Sequence, residues 1–158
     1  MSMIGHFLAL PQATLDDLRE DPEQVPTFLF ETHADAALNV EKTWHGIHFL
    51  LNGTVAGGSG PLANVVFGRT PVGDDDEMGY GPAMATDAAD VPAIAAALAA
   101  VTDDQLRQRF DADAMADIYP NIWDEDDALD WLMDYVAPLR AFYDDAAGRG
   151  QAVISWLG

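Results

Sequence analysis

Apolar positions along the chain repeat with two periods. From Asp127 to Ala147, Leu129, Leu132, Tyr135, Val136, Leu139, Phe142 and Tyr143 recur at spacings of three and four, the buried stripe of an amphipathic helix that Pro138 is expected to kink. Ala36, Val40, Trp44, Ile47 and Leu51 repeat in the same way and predict a second helix over 35–51, ended by Asn52-Gly53. Val91, Ile94, Leu98 and Val101 mark a third, with Asp90 as its cap and Pro92 in its first turn, where a missing N–H does little harm. Thr102 and Gln105 have the spacing of a reciprocal capping box, so a fourth helix runs over 103–110 with Leu106 and Phe110 buried. Two shorter helices are also expected. One is capped by Thr14 and closed by Pro22; the other spans Leu62 to Phe67 and ends at Gly68.

The chain's ends read differently. Ser2–Leu10 is stopped by Pro11, and Gln151–Leu157 is a run of β-favouring residues after the Gly148–Gly150 stop; both predict strands, the C-terminal one central in its sheet. Tyr80–Thr86 reads as extended, Thr54–Gly60 and the acidic 69–78 as loops, and Pro26–Glu31 is ambiguous. Strands at both ends with helices between them predict the α+β class. The expectation is one domain over 1–158, with a small mixed or antiparallel sheet assembled from distant segments and covered by several helices.

Charge narrows the partners. Seven Lys and Arg stand against 27 Asp and Glu, a net charge of −20, which repels nucleic-acid phosphate. Asp outnumbers Glu by 21 to 6 and Lys42 is the only lysine, the mark of a GC-rich or a salt-adapted source. With no cysteine, thiolate chemistry, disulfides and cysteine zinc sites are excluded. The N-terminal residues lack a cationic segment, and Val91–Val101, with Pro92 and six alanines, is far too short to cross a bilayer. A cytoplasmic protein with no membrane partner is expected.

Candidate chemistry is sparse. On one helical face, Glu41, His45 and His48 stand together, and two imidazoles with a carboxylate are a possible divalent-metal set; otherwise His48 is a buried or rim histidine bonded to backbone or to a carboxylate while the other two are solvated. Asp74, Asp76 and Gly79 imitate the start of a calcium loop, but Ala85 stands where the bidentate Glu belongs, and Asp111 with Asp113 fails likewise at Ile122. Asp124, Glu125, Asp126, Asp127, Asp130 and Asp134 gather charge at the start of the long helix, a solvated face or a docking surface for a cationic protein. Tyr119-Pro120 beside Trp123, with Trp44 as a second wall, is either a pocket or core. Ser2, Ser59 and Ser155 lack a nucleophile elbow, and the glycines at 57, 58 and 60 carry no phosphate-binding fingerprint.

The order of several motifs resembles the YfbM-like family of bacterial proteins, a domain family of unknown function. These are Met1-Ser-Met-Ile-Gly-His-Phe7, Lys42-Thr-Trp44-His-Gly-Ile-His48-Phe-Leu-Leu-Asn-Gly53, Met115 with Ile118-Tyr119-Pro120 and Trp123, and Leu139-Arg-Ala-Phe142-Tyr143 through Trp156. The resemblance spans nearly the whole chain. It implies one α+β domain in which Trp44 and His48 recur and the position of His45 varies, and it brings no activity, cofactor or catalytic residue.

Two functions are therefore carried forward. The first is a non-catalytic acidic binding protein, of immunity or adaptor type, docking a basic protein such as a nuclease toxin through Trp44, Trp123, Asp126, Asp130 and Asp134. The alternative is a small hydrolase or lyase in which His48 is the general base, Glu41 its orienter or a metal ligand, and Tyr119 or Lys42 polarises the substrate. No cofactor is called for, and oligomeric state is not legible.

Overall fold

The computed structural model describes residues 2–73 and 80–158, so the calcium-loop resemblance at 74–79 lies outside the described residues. β1 (Gly5–Leu10) opens the chain, followed by α1 (Gln12–Glu20) and a single turn, α2 (Val25–Thr27), that continues as a π-helical turn over Phe28–Thr32. β2 (Leu38–Asn39), α3 (Trp44–Asn52), β3 (Thr70–Val72) and β4 (Ala83–Thr86) come next. The chain closes with α4 (Val91–Ala100), α5 (Asp103–Arg109), α6 (Ala128–Gly148) and β5 (Ala152–Leu157).

The strands form one antiparallel sheet in the order β2-β1-β5-β4-β3. The fold is α+β, and the C-terminal strand is central as its apolar run predicts. Side chains alternate across the sheet. Phe7 and Val153 join the larger core beneath α3, α4, α5 and α6, while Leu8, Leu10, Ala152, Ile154 and Trp156 join a smaller one with Leu15, Leu18, Val25 and Leu29. The edge strands β2 and β3 are two and three residues long, which limits the template they offer for pairing with another chain.

Where local pattern and tertiary pairing disagree, pairing wins. The helix expected over 35–51 exists only from Trp44 onward. Upstream, Leu38 and Asn39 pair with Phe7 and His6, and the Val40 amide donates to Gly5, so this stretch is used to extend the sheet. Glu41 then takes a left-handed φ of 54°, and a short turn through Thr43 starts the helix. Val40, Trp44, Ile47 and Leu51 are all buried, but Ala36 is exposed. Likewise β3 lies in a stretch expected as loop, and Leu62–Phe67 forms a 3-10 turn over Pro61–Asn64 in place of a helix. α1 begins at Gln12 behind Pro11, which leaves Thr14 inside the helix and not at its cap. Phe110 is only half-buried.

Other local signals are realised. The capping box on α5 makes both bonds, Gln105 N–H to the Thr102 hydroxyl at 3.1 Å and Thr102 N–H to the Gln105 side chain at 2.9 Å. Gly53 closes α3 with φ 71°, its amide donating to Phe49 at 2.7 Å, a conformation that costs a side chain more than it costs glycine. No helix among the described residues is long and apolar enough to cross a membrane.

Candidate functional site

Two regions hold the residues singled out by the sequence, and they are built in opposite ways. The first is the face of α3. His48 is fully buried. Its Nε2 lies 2.9 Å from the Gly57 carbonyl, which can only accept, so Nε2 carries the proton, and Nδ1 accepts from the Asn52 side-chain amide at 3.3 Å. The same Asn52 amide donates to the carbonyls of His48 and Leu62 at 3.1 and 3.0 Å. His45 donates through Nε2 to the Val55 carbonyl at 2.9 Å and stacks nearly parallel on Trp44, ring centres 5.0 Å apart. Both histidines thus fasten the glycine-rich loop after α3 to the helix that precedes it. Burial pushes both imidazoles below their ordinary pKa; carbonyl bonding opposes this, and proximity to His45 lowers His48 further.

The general-base assignment of His48 does not survive this geometry. Both its ring nitrogens are committed and the side chain meets no solvent. Glu41, offered as its orienter and as a metal ligand, is exposed on the turn before α3 and exerts its field on His6 instead. Lys42 sits in the same turn. The helical register that would have joined Glu41 to His45 and His48 is broken because α3 starts at Trp44. Among the described residues no group of three His, Asp or Glu side chains is placed to hold a metal. Tyr119 and Trp44 both act on Met3: the Tyr119 hydroxyl accepts from its amide at 2.9 Å and the Trp44 indole donates to its carbonyl at 2.8 Å. Their rings stack 5.7 Å apart, a clamp on the start of the sheet.

The second region is the segment between α5 and α6 together with the first turns of α6. Trp123 is core, its indole N–H bonded to Ile118 at 2.8 Å and its ring pressed on Gly46, where an added Cβ would lie 2.6 Å from the indole. Its edge nonetheless reaches a surface recess of about 240 Å³ shared with Ala112, Asp113, Ala116, Asn121 and Asp124. Trp44 is absent from that lining, so the two tryptophans do not wall one pocket. Asp111 accepts from the amides of Asp113 and Ala114, each at 3.1 Å, which sets the turn that carries Asp113 to the rim.

Around this recess the acids are exposed. Asp124, Glu125, Asp126 and Asp127 lie in turns ahead of α6, and Asp130 and Asp134 lie on the helix. Asp126 therefore precedes the helix, and only Asp130 and Asp134 repel along it at i,i+4 spacing. Asp130 pairs with Arg107 at 3.0 Å. The protein's other arginines are also occupied. Arg19, Arg69, Arg140 and Arg149 pair with Asp87, Asp90, Asp103 and Asp145, and Arg109 donates to the Leu50 and Leu51 carbonyls at the end of α3. Asp113 and Asn121 are the recess residues that the sequence did not single out as binding groups; they join Asp124 only through the fold of the 111–127 turns.

Among solved structures, the chain is similar to the protein of unknown function YfbM from Escherichia coli, with a TM-score of 0.79 and 22% sequence identity over 99% of this chain and 100% of that one, a likeness of fold. No curated protein matches the chain. The model of the family described as "Domain of unknown function (DUF1877)" matches residues 1–156, and the chain belongs to that family.

Proposed function

We propose that the protein is a non-catalytic binding protein whose acidic end docks a basic protein, taking one Arg or Lys side chain into the recess beside Trp123. The observation that carries this reading is the make-up of that recess: carboxylates from two separate turns, Asp113 and Asp124, with the Asn121 amide, rim a floor of Ala112, Ala116 and the Trp123 edge. A long cationic side chain has the matching anatomy, an apolar stem with a charged head. The surrounding acids have few cations of the same chain to neutralise them, and such a field speeds encounter with a positively charged partner more than it adds affinity. An inhibitor or adaptor that masks a basic protein is the role this arrangement fits.

The test compares two charge-matched variants for binding a short arginine-rich peptide by calorimetry. Asp113→Asn with Asp124→Asn removes the rim; Asp17→Asn with Glu20→Gln removes the same charge from the exposed side of α1. The rim variant is expected to bind about tenfold more weakly, ~1.4 kcal/mol, while the α1 variant stays within about twofold and both weaken as salt is raised. Equal losses in the two variants would show diffuse attraction without a site and sink the reading.

A further inference from the structure

A second cavity, of about 210 Å³, opens where the sheet comes apart at one end. Phe7, Met84, Ser155 and Leu157 lie toward it from the sheet by strand alternation, Trp44, Val66 and Phe67 cover it, and Tyr80, Gly81 and Pro82 stand at its side. No Asp, Glu, Lys or Arg belongs to this described lining, in a chain that is 22% charged. Four other recesses on the described surface each include at least one ionic side chain. His6, also of the lining, alternates with Phe7 and so turns its imidazole to the opposite face of the sheet.

Its polar groups come from the strand pairing. Ile4 and Gly158 exchange both backbone hydrogen bonds. In an antiparallel ladder bonded and non-bonded pairs alternate, so Leu157, opposite Gly5, turns its N–H and C=O away from β1 and toward β4. The β4 ladder has stopped by then: its last pair is Met84 with Ser155, and the next residue facing Leu157 would be Pro82, which has no N–H. The Leu157 amide and carbonyl therefore face the gap with no strand partner among the described residues. Trp156, also of the lining, turns its indole to the opposite face of the sheet, where it stacks on His6 with ring centres 5.2 Å apart. The Ser155 hydroxyl is already spent on the Val66 carbonyl at 3.1 Å.

We propose that this cavity is a binding site for a neutral, planar, largely apolar small molecule bearing one hydrogen-bond acceptor, which pairs with the Leu157 amide in place of the missing strand. The size suits one substituted aromatic ring, since a cavity of about 150 Å³ lined by apolar side chains holds benzene. Aromatic walls favour a planar body, and the absence of a cation among the described lining residues rejects a carboxylate, whose burial without a partner is costly. The site shares no residue with the acidic recess, so either proposal can fail alone.

Acetophenone, ethylbenzene and benzoate separate these requirements, titrated into the full chain while amide and indole N–H resonances are followed by NMR. Acetophenone is expected to shift the Leu157 amide saturably. Ethylbenzene, lacking the acceptor, binds about fivefold more weakly, and benzoate at least tenfold more weakly, roughly the discrimination a single unpaired charge imposes. Met84→Phe, which crowds the cavity from the sheet, abolishes the shifts, whereas Asp113→Asn with Asp124→Asn leaves them in place. No saturable change at Leu157 with acetophenone in the parent protein, or a benzoate response as strong as the acetophenone one, overturns the proposal, whether or not Met84→Phe folds.

Discussion

The face of α3 and the turns leading into α6 carry polar residues of the kinds that do chemistry, but their polar groups have different fates. On α3, His48 is buried with both ring nitrogens bonded, and Asn52 donates to two carbonyls and one imidazole. At the acidic end, Asp113 and Asp124 face solvent across a recess, and among the nearby acids Asp130 has the arginine. A histidine whose donors and acceptors are all satisfied by its own chain contributes to stability and has nothing left to offer a substrate. Carboxylates left facing water carry their field outward. Residue type alone does not distinguish these cases; the hydrogen-bond partners do.

The contrast is broken most severely by Trp123→Ala, because Trp123 serves both regions. Loss of a fully packed indole is expected to cost about 3–5 kcal/mol in a urea titration, with peptide binding at the recess lost as its floor goes. A smaller cost would mean that Leu132, which like Trp123 lies against Gly46, moves into the space.

His48→Ala comes next. It removes the imidazole's bonds to the Gly57 carbonyl and the Asn52 amide and leaves a void, for about 2–3 kcal/mol, and it should speed proteolysis between residues 53 and 60 while leaving peptide affinity unchanged. The same latch predicts the response to acid. Because the folded-state pKa values of His45, His48 and His6 are depressed, the unfolded chain takes up protons first as pH falls through about 6.5. Stability is therefore fully present above that value and declines below it until the folded pKa values are reached. His48→Gln, which does not titrate, should flatten part of that decline in urea midpoints measured between neutral and mildly acidic pH. An unchanged slope would show that His48 is not held neutral.

The smallest effect belongs to the exposed helix face. Asp134→Asn removes the i,i+4 repulsion with Asp130 and should stabilise the fold by about 0.3 kcal/mol at low salt, an increment that disappears at high salt. A loss of stability there would mean that Asp134 has a favourable partner and that the face is not simply repulsive.

Periodicity made α4, α5, α6 and the terminal strands legible, because each of these elements takes its form from local signals that agree: the Thr102–Gln105 box, Pro92 in the first turn, the stripe from Leu129 to Tyr143. It failed over residues 35–43, where Val40 and Trp44 occupy helical spacing but Leu38 and Asn39 are recruited to the edge of a strand more than thirty positions away. That partner, β1, is invisible to a local window. The same failure produced the apparent Glu41–His45–His48 cluster, since those three residues share a face only on a helix that the sheet prevents. Trp123 and Asp124 were readable as candidates, yet the recess was not, because Asp113 reaches it through a turn whose path is set by the Asp111 side chain and by packing of Met115 and Ile118 in the core.

Mapping the arginine-rich peptide onto the protein by NMR compares both regions in one titration. Saturable shifts are expected at Ala112–Ala116, Asn121–Asp127 and the Trp123 indole N–H, with residues 45–58 unmoved. Shifts centred on His45 and His48, with the Trp123 indole and its neighbours silent, would contradict docking at the recess.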